Sequence, residues 1–257
     1  MFPGKAQRGR AVNRGRFFQA RRRARLAGSR EGAMPIGFRI NPRERAVDAA
    51  TAAAFRALPV ANVSDSMGRM TGAGASIRPM HAGGALAGAA LTVKTRPGDN
   101  LMTHAALDRA RPGDVIVVDG GGDLTNALMG ELMLMQAIKR GVAGVVINGA
   151  VRDLGWIRAG NFPVFAAGVT HRGPYRDGPG EINTRVAFGG MVIEPGDLII
   201  GDDDGVHCVP YAETAAVLAA TRAKLAGEDK MKAAIEAGTL DRAWVDEALR
   251  KLGCEGV

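Results

Sequence analysis

The sequence predicts an α/β protein in which buried strands alternate with helices, and three observations support this prediction. Two runs, VIVVDGG from Val115 and GVAGVVI over 141–147, are too short to cross a membrane and too rich in β-branched residues for a comfortable helix. Between them, apolar residues recur at helical spacing from about Gly130 to Arg140. A third run, PVFAAG from Pro163, completes a strand–helix–strand rhythm typical of a layered α/β domain.

The elements before this unit are predicted from their composition and turn residues. The Ala-rich stretch 42–58 predicts a helix that stops at Pro59. Ser64 and Asp65 then offer an N-cap for a short helix that ends near Gly68. Residues 83–94 predict a strand, and a Pro-Gly-Asp turn is repeated at 96–99, 111–114 and 194–197.

The elements after the unit are a short helix, a strand-rich region and a helical end. We expect the short helix from Asp153 to about Ala159, then only strands and turns between Arg185 and Pro210. From about 212 onward the pattern is that of amphipathic helix. The absence of repeats and of an interior linker predicts one domain over 35–257.

The net charge of +8 comes from one segment of the chain. Residues 1–33 contain ten Lys or Arg and one acidic residue, whereas the remainder has 24 basic and 25 acidic residues. The segment is either a disordered arm that contacts RNA or anionic surfaces nonspecifically, an Arg-rich targeting peptide, or untranslated sequence ahead of a start at Met34. Nucleic acid is therefore not expected as a specific partner of the body.

Composition excludes several classes of site and predicts a cytoplasmic protein without a membrane span. Cys208 and Cys254 are too few for a disulfide framework or a four-cysteine zinc site. The four histidines lack metal-binding spacing, so each is expected to be an ordinary surface or core residue. Neither GxSxG nor a phosphate-binding Walker loop is present. The acidic run 202–204 is expected to be a solvated turn, because its consecutive carboxylates point in different directions.

The strongest candidate site combines a helix start with the end of the next strand. Gly130 opens a helix, so the first-turn N–H groups of Glu131, Leu132 and Met133 are expected to be free to bind a carboxylate or phosphate. At the end of the following strand lie Arg152 and Asp153, the last two residues of the motif NGAVRD. The arginine can fork onto a carboxylate or enolate oxygen, and the aspartate can hold Mg²⁺. Alternatively, Asp153 only caps the short helix that it precedes and pairs with Arg152.

Several motifs in fixed order resemble one protein family. They are GGGDLTNALMGELM, INGAVRD, NFPVFAAG, GPGEIN, EPGD and DDDGV, and the similarity runs from about Val63 to Pro210. The family contains the class II 4-hydroxy-4-methyl-2-oxoglutarate aldolases, the oxaloacetate decarboxylases and the regulator of ribonuclease activity A. The resemblance implies a β/β/α swivelling-domain fold, related to phosphohistidine domains, that forms homotrimers or homohexamers with active sites at subunit interfaces.

The resemblance also implies a role for each candidate residue. The amides of the Gly130-Glu131-Leu132-Met133 turn would hold a pyruvyl carboxylate, Arg152 the keto or enolate oxygen, and Asp153 a divalent cation, Mg²⁺ or Mn²⁺. The family's aldolases often have Asp where this chain has Glu131. The Glu131 carboxylate would order a metal-bound water that could act as the base. Retro-aldol cleavage and β-decarboxylation both leave a pyruvate enolate, so one electron sink would serve both reactions.

Two functions remain open from the sequence. The first is a metal-dependent lyase that cleaves 2-oxo acids. The second is a non-catalytic binding protein like the ribonuclease regulators. In those relatives the residue after the matching arginine is not acidic, whereas here it is Asp153, and this difference favours the enzyme.

Overall fold

The fold of this protein, described in a computed structural model over residues 36–257, is built on a mixed sheet. The predictions for the basic segment 1–33 lie outside the described residues. Within 36–257 the strands are β1 (Phe38–Ile40), β2 (Arg78–Pro79), β3 (Leu86–Thr95), β4 (Asp114–Asp119), β5 (Ala127–Met129), β6 (Gly144–Val151), β7 (Val164–Val169), β8 (Gly180–Ile182), β9 (Val186–Phe188), β10 (Met191–Ile193), β11 (Leu198–Asp202) and β12 (Gly205–Val209).

The helices of the same range are α1 (Ala49–Arg56), α2 (Val60–Ser66), α3 (Leu101–Arg109), α4 (Glu131–Lys139), α5 (Leu154–Arg158), α6 (Thr214–Glu236) and α7 (Ala243–Lys251). Short 3₁₀ turns lie at Gly74–Ser76 and Tyr211–Glu213. In the described part of the chain, no helix combines the length and apolar character that a membrane span requires. These elements bear out the mixed α/β class that the strand–helix rhythm predicted.

Four parallel strands form the centre of the sheet, in the order β3, β4, β6 and β7. Antiparallel strands complete it: β11 and β8 pair with the two halves of β3, β12 pairs with β11, and β2 pairs with β7. The short strand β5 pairs in parallel with the end of β6. Because β5 leads directly into α4, this pairing brings the start of α4 beside the carboxyl end of β6.

Alternation along the strands divides the core between the two faces of the sheet. On β4, Ile116 and Val118 pack in the cluster that holds Leu134 of α4, whereas Val115 and Val117 face a second cluster around Phe165. A third cluster lies under α1, α2 and α6. Each strand that reaches the candidate site is therefore fixed by buried side chains on both faces.

Two predicted helix starts were wrong, and long-range contacts explain one of them. The helix expected over 42–58 begins only at Ala49, where the Asp48 carboxylate accepts the N–H of Thr51 at 2.7 Å. The next helix begins at Val60, so Ser64 and the residue after it lie inside the helix rather than at its cap. The Val60 N–H donates instead to Asp202, 142 residues away, at 2.8 Å.

The three Pro-Gly-Asp turns were predicted correctly. In each, the aspartate N–H donates to the carbonyl three residues earlier, at 3.0–3.1 Å. The three carboxylates are almost completely buried and accept backbone N–H groups. Asp99 thereby caps α3 through the N–H of Leu101, and Asp114 begins β4. Each of the three turns therefore supplies a buried acceptor where the chain enters α3, β4 or β11.

Candidate active site

The candidate site is built around the start of α4. Gly130 precedes the helix in an extended conformation and is buried. A Cβ atom there would lie 2.8 Å from Cγ of Arg152 and would clash more severely with Oδ2 of Asp153. Glycine is therefore required by space, because the 152–153 segment passes directly over the helix start.

Arg152 and Asp153 reach this point through the backbone at the end of β6. The Arg152 N–H donates to the carbonyl of Met129, the last residue of β5, at 3.0 Å. Asp153 follows in the left-handed region, with φ of 60° and ψ of 40°. A side chain other than glycine is uncommon in that region, and aspartate is among the residues that tolerate it best. The turn directs the Asp153 carboxylate toward α4.

The Asp153 carboxylate caps α4 rather than its own helix. Oδ2 accepts the N–H of Glu131 at 2.9 Å, whereas the side chain makes no capping hydrogen bond to α5. The alternative in which Asp153 only caps the short helix is therefore wrong, because the carboxylate caps α4 and not α5. Its second half is present, because Nε of Arg152 lies 3.7 Å from the same oxygen. The two segments that the sequence singled out are in direct contact.

Fewer amides are free at the α4 start than the sequence predicted. The Glu131 N–H is taken by Asp153, and the Met133 N–H donates to the carbonyl of Gly130 at 3.1 Å. Within residues 36–257, no acceptor lies in hydrogen-bond range of the Leu132 N–H. The expectation of three free donors is therefore wrong, because the local turn and Asp153 satisfy two of them.

A small cavity of about 110 Å³ opens beside the α4 start. Its polar lining comes from Asn100, His104, Arg152 and Arg176. Asn100 is 2% exposed, and its Nδ2 donates to the carbonyl of Leu128 at 3.0 Å. Among the described residues, neither Oδ1 of Asn100 nor Nε2 of His104 has a hydrogen-bond partner, although both atoms are buried. Buried polar atoms are normally satisfied, so these two indicate a place for water or a ligand.

The loop that carries Arg176 is held to the start of α3 by Asp99, which is fully buried. Oδ1 of Asp99 caps α3 at Leu101, and Oδ2 accepts the N–H groups of Asp177 and Gly178 at 2.7 and 2.9 Å. One carboxylate therefore fixes both walls of the cavity. Neither wall has to form when a ligand binds, which reduces the entropic cost of binding.

A second cavity, of about 280 Å³, is also lined by Arg152. Asp153, Val169, Thr170 and His171 complete its lining. Arg152 lines both cavities, and its side chain is 40% exposed. Arg152 is therefore shared by a cavity that Asn100 and His104 line and a cavity that Asp153 lines.

The donors at the site fit a cation that is held mostly by water and substrate. Within the described residues, no three His, Cys, Asp or Glu side chains gather in a group suited to a metal ion. Asp153 is a single carboxylate whose side chain is 39% exposed, with Oδ1 free of the α4 cap. Mg²⁺ commonly uses one or two protein carboxylates and keeps several waters, and Mn²⁺ favours similar oxygen ligands. The same donors do not fit a structural zinc site, which needs four protein ligands.

Burial and charge act together on His104. Burial lowers the pKa of its ring, the nearby Arg176 lowers it further, and Asp108 raises it by a smaller amount. Two arginines line the same cavity and add to the positive field there. The imidazole is therefore neutral over a wider pH range than an exposed histidine, and the cavity favours anions.

Sequence reasoning missed Asn100, His104 and Arg176 as site residues. A signal existed for the first two: they follow a Pro-Gly-Asp turn and stand four residues apart, which places them on one face of a helix that starts there. Arg176 had no such signal, because its position depends on the contacts of Asp99 with a loop about 78 residues away in sequence.

Comparison with known proteins identifies the family of this chain. The family described as "RraA-like: Aldolase/RraA" matches residues 60–208, more than half of the chain. The chain belongs to the RraA-like family. The match contains β3 to β11 and the whole of the α4 start with Arg152 and Asp153. The family resemblance that the sequence motifs indicated is therefore confirmed.

Relatives of this RraA-like chain carry two kinds of name. A protein of Halalkalibacterium halodurans named "Putative 4-hydroxy-4-methyl-2-oxoglutarate aldolase" is 37% identical over 196 residues, which are 76% of this chain and 93% of that protein. The RNA-processing inhibitor RraA from Thermus thermophilis is 28% identical with a TM-score of 0.55, covering 59% of this chain and 92% of that structure.

A further solved structure matches more of the fold. An uncharacterized protein from Pseudomonas syringae has a TM-score of 0.68 and 25% identity, covering 76% of this chain and 96% of that one. The two structural matches together support a single mixed α/β domain of RraA-like fold.

The contact between Gly130 and Asp153 gives a testable prediction. We expect Gly130→Ala to lower the free energy of unfolding by about 1–3 kcal/mol, because the new methyl group displaces the carboxylate from the helix start. Gly155→Ala in α5 is the matched control, since a Cβ there meets nothing within 4 Å. It should be neutral or slightly stabilising, because alanine is the better helix former. Urea denaturation of both variants measures the difference in the free energy of unfolding. Equal stability of the two variants would show that residues 152–153 move away from the new methyl group at no cost.

Proposed function

We propose that this chain is a lyase that cleaves 2-oxo acids through a pyruvate enolate. The observation that carries the proposal is the direct contact of Arg152 and Asp153 with the start of α4. A guanidinium, a carboxylate and a helix N-terminus then converge on one place, as an anionic substrate and a developing oxyanion require. The aldolase name of the Halalkalibacterium relative supports the same reaction class.

Each residue has a defined part in the proposed reaction. The α4 start binds the substrate carboxylate, with the N–H of Leu132 as its free donor and Gly130 giving the close approach that the ligand needs. Arg152 donates to the 2-oxo oxygen as the C3–C4 bond breaks and its electron pair moves onto C2–O. Glu131 orients a water at the helix start. Asp153 would hold Mg²⁺ or Mn²⁺, which supplies positive charge to the enolate.

The proposed substrates are compounds that leave a pyruvate enolate when C3–C4 breaks. They are 4-hydroxy-4-methyl-2-oxoglutarate and related hydroxy acids, cleaved by retro-aldol reaction, and oxaloacetate, cleaved by decarboxylation. The positive cavity lined by Arg152 and Arg176 suits such dianions.

A binding function is the second candidate, and the Thermus inhibitor supports it. A regulator of that kind acts by docking on a partner and needs neither a metal nor a substrate. The acidic residue after Arg152 favours the enzyme, since a docking surface has no need of a left-handed aspartate whose Oδ1 is left available. An assay for pyruvate release from both substrates separates the two candidates.

We also propose that the domain is a β/β/α swivelling-domain type and that it assembles as a homotrimer or homohexamer. The helix α4 supports assembly, because Leu132, Met135 and Ile138 are 78%, 50% and 46% exposed and follow one another along its surface. Large apolar side chains at such spacing usually pack against a partner. A second copy that covers this stripe would also cover the candidate site.

Removal of the cation gives the first test of the lyase. We expect excess EDTA to abolish pyruvate release and Mg²⁺ or Mn²⁺ to restore it. Asp153→Asn should be inactive with little loss of stability, because its amide oxygen can still accept the Glu131 N–H. Asp153→Ala should be equally inactive and about 1 kcal/mol less stable, because the α4 cap is lost as well. Undiminished turnover in EDTA would contradict the metal assignment.

Replacement of Arg152 tests the electron sink. We expect Arg152→Lys to lower kcat by about 10²–10³, equivalent to roughly 2.7–4 kcal/mol of transition-state stabilisation, with a smaller rise in KM. The reason is that a planar guanidinium reaches two oxygens together, whereas an ammonium is one compact charge. If Arg152 only forms a surface pair with Asp153, turnover stays near that of the parent. Steady-state kinetics with a melting curve of the same variant decides between these results.

A charge on the exposed stripe tests the assembly. We expect Met135→Glu to shift the protein toward smaller species in sedimentation velocity, because a carboxylate cannot be buried cheaply against apolar side chains. Ala220→Glu is the control, since Ala220 is exposed and belongs to α6 rather than to α4. An unchanged distribution for both variants would place the interface elsewhere.

A further inference from the structure

We propose that His104 is the proton-transfer group of the candidate site, an inference that rests on the proposed lyase function. The residue lies in α3, four positions after Asn100, and both side chains line the small cavity beside the α4 start. Nε2 of His104 is buried and has no partner among the residues that the structure describes. The same cavity is lined by Arg152, so the imidazole and the guanidinium proposed to bind the 2-oxo oxygen border one space.

The ring has the protonation state that a base requires. Burial and Arg176 both lower the pKa of His104, with only Asp108 acting in the opposite direction. A neutral imidazole can accept a proton, and it does not repel an anionic substrate as a carboxylate base would.

Asn100 acts as a positioning residue for the same group. Its Nδ2 is fixed by the carbonyl of Leu128, so its Oδ1, which is buried and has no partner among the described residues, is held in place in a residue that lines the cavity. In the proposed reaction, Oδ1 of Asn100 and Nε2 of His104 share the C4 hydroxyl group of the substrate. The pair therefore selects substrates that carry a hydroxyl group on C4.

The retro-aldol step balances with one proton on His104. The C4 hydroxyl proton moves to Nε2, C4–O becomes a carbonyl, and the C3–C4 bond breaks with its electron pair forming the enolate. The imidazolium then returns the proton to C3 and gives pyruvate and the neutral ring. Decarboxylation of oxaloacetate differs, because CO₂ leaves from a carboxylate and no proton is first removed from the substrate.

Glu131 is the competing source of a base, through a water that it orients. Its side chain does not line the small cavity, whereas its neighbours Gly130 and Leu132 do. The carboxylate of Glu131 is therefore placed outside the cavity that contains Nε2 of His104. This difference allows the two candidates to be separated by substitution.

The test compares retro-aldol cleavage, which requires a base, with oxaloacetate decarboxylation, which does not. We expect His104→Gln, assayed with Mg²⁺ or Mn²⁺, to lower retro-aldol cleavage by at least about 100-fold, the usual size of general acid–base catalysis. Exchange of the pyruvate methyl protons with deuterium, followed by NMR, should fall equally, because it also requires a base. Oxaloacetate decarboxylation and calorimetric pyruvate affinity should stay within about threefold of the parent. Arg109→Gln, on the same helix and outside the cavity, should match the parent in all four measurements.

Three outcomes would overturn the proposal. The first is parental cleavage and exchange in His104→Gln. The second is an equal loss of all four measurements, which would make the histidine a binding or structural residue. The third is loss of exchange in Glu131→Gln but not in His104→Gln, which would assign the base to the water. His104→Asn carries the same test if the glutamine variant does not fold, whereas an inactive parent protein would refute the proposed lyase itself.

Discussion

The hydrogen bond from the Glu131 N–H to the Asp153 carboxylate is the contact on which the candidate site depends. It joins the start of α4 to the end of β6 across 22 residues of sequence. Without it, Arg152 would be joined to the helix start only by its own N–H bond to the Met129 carbonyl and by the pairing of β5 with β6. The bond also satisfies one of the first-turn donors that every helix leaves unpaired. One interaction therefore serves the stability of α4 and the geometry of the site.

Two backbone requirements follow from that contact. Gly130 must lack a side chain because Arg152 and Asp153 pass over it, and Asp153 must adopt a left-handed conformation to turn its carboxylate back toward α4. An unusual backbone conformation is retained where surrounding contacts determine it. Here β5 pairs with β6 on one side, and the α4 cap holds the other. The strained residue is the one that would bind the cation.

The sequence predicted those parts of the fold that local patterns determine. The strands β4, β6 and β7, the helix α4 and the three Pro-Gly-Asp turns have local signatures: β-branched runs, helical spacing and turn residues. The helix α2 was misplaced because its first N–H is capped by Asp202, a residue that no local pattern connects to it. A cap supplied from a distant strand has no signature near the helix that it begins.

The same distinction applies to the site. The sequence could identify Arg152 and Asp153 because the motif NGAVRD ends where a predicted strand ends. Their proximity to Gly130 follows because β5, which leads into Gly130, runs parallel to β6. The role of Asp153 as a cap of α4 could not be found, because its own helix begins at the next residue and offers the simpler assignment. Arg176 could not be found either, since the buried Asp99 determines where its loop lies.

The cation and the base that we propose for this site do not compete, because they are assigned to different cavities. A cation near Asp153 and a base near the substrate would compete if they shared one space, because a cation raises the cost of forming an imidazolium beside it. Here Asp153 lines one cavity and His104 the other, and Arg152 lines both. Oδ2 of Asp153 is occupied by the α4 cap and Oδ1 is not, so the same carboxylate can hold the helix and remain available on its own side. The separation keeps the small cavity free of carboxylates among its described lining residues, and a neutral histidine is then the proton acceptor that an anionic substrate tolerates there.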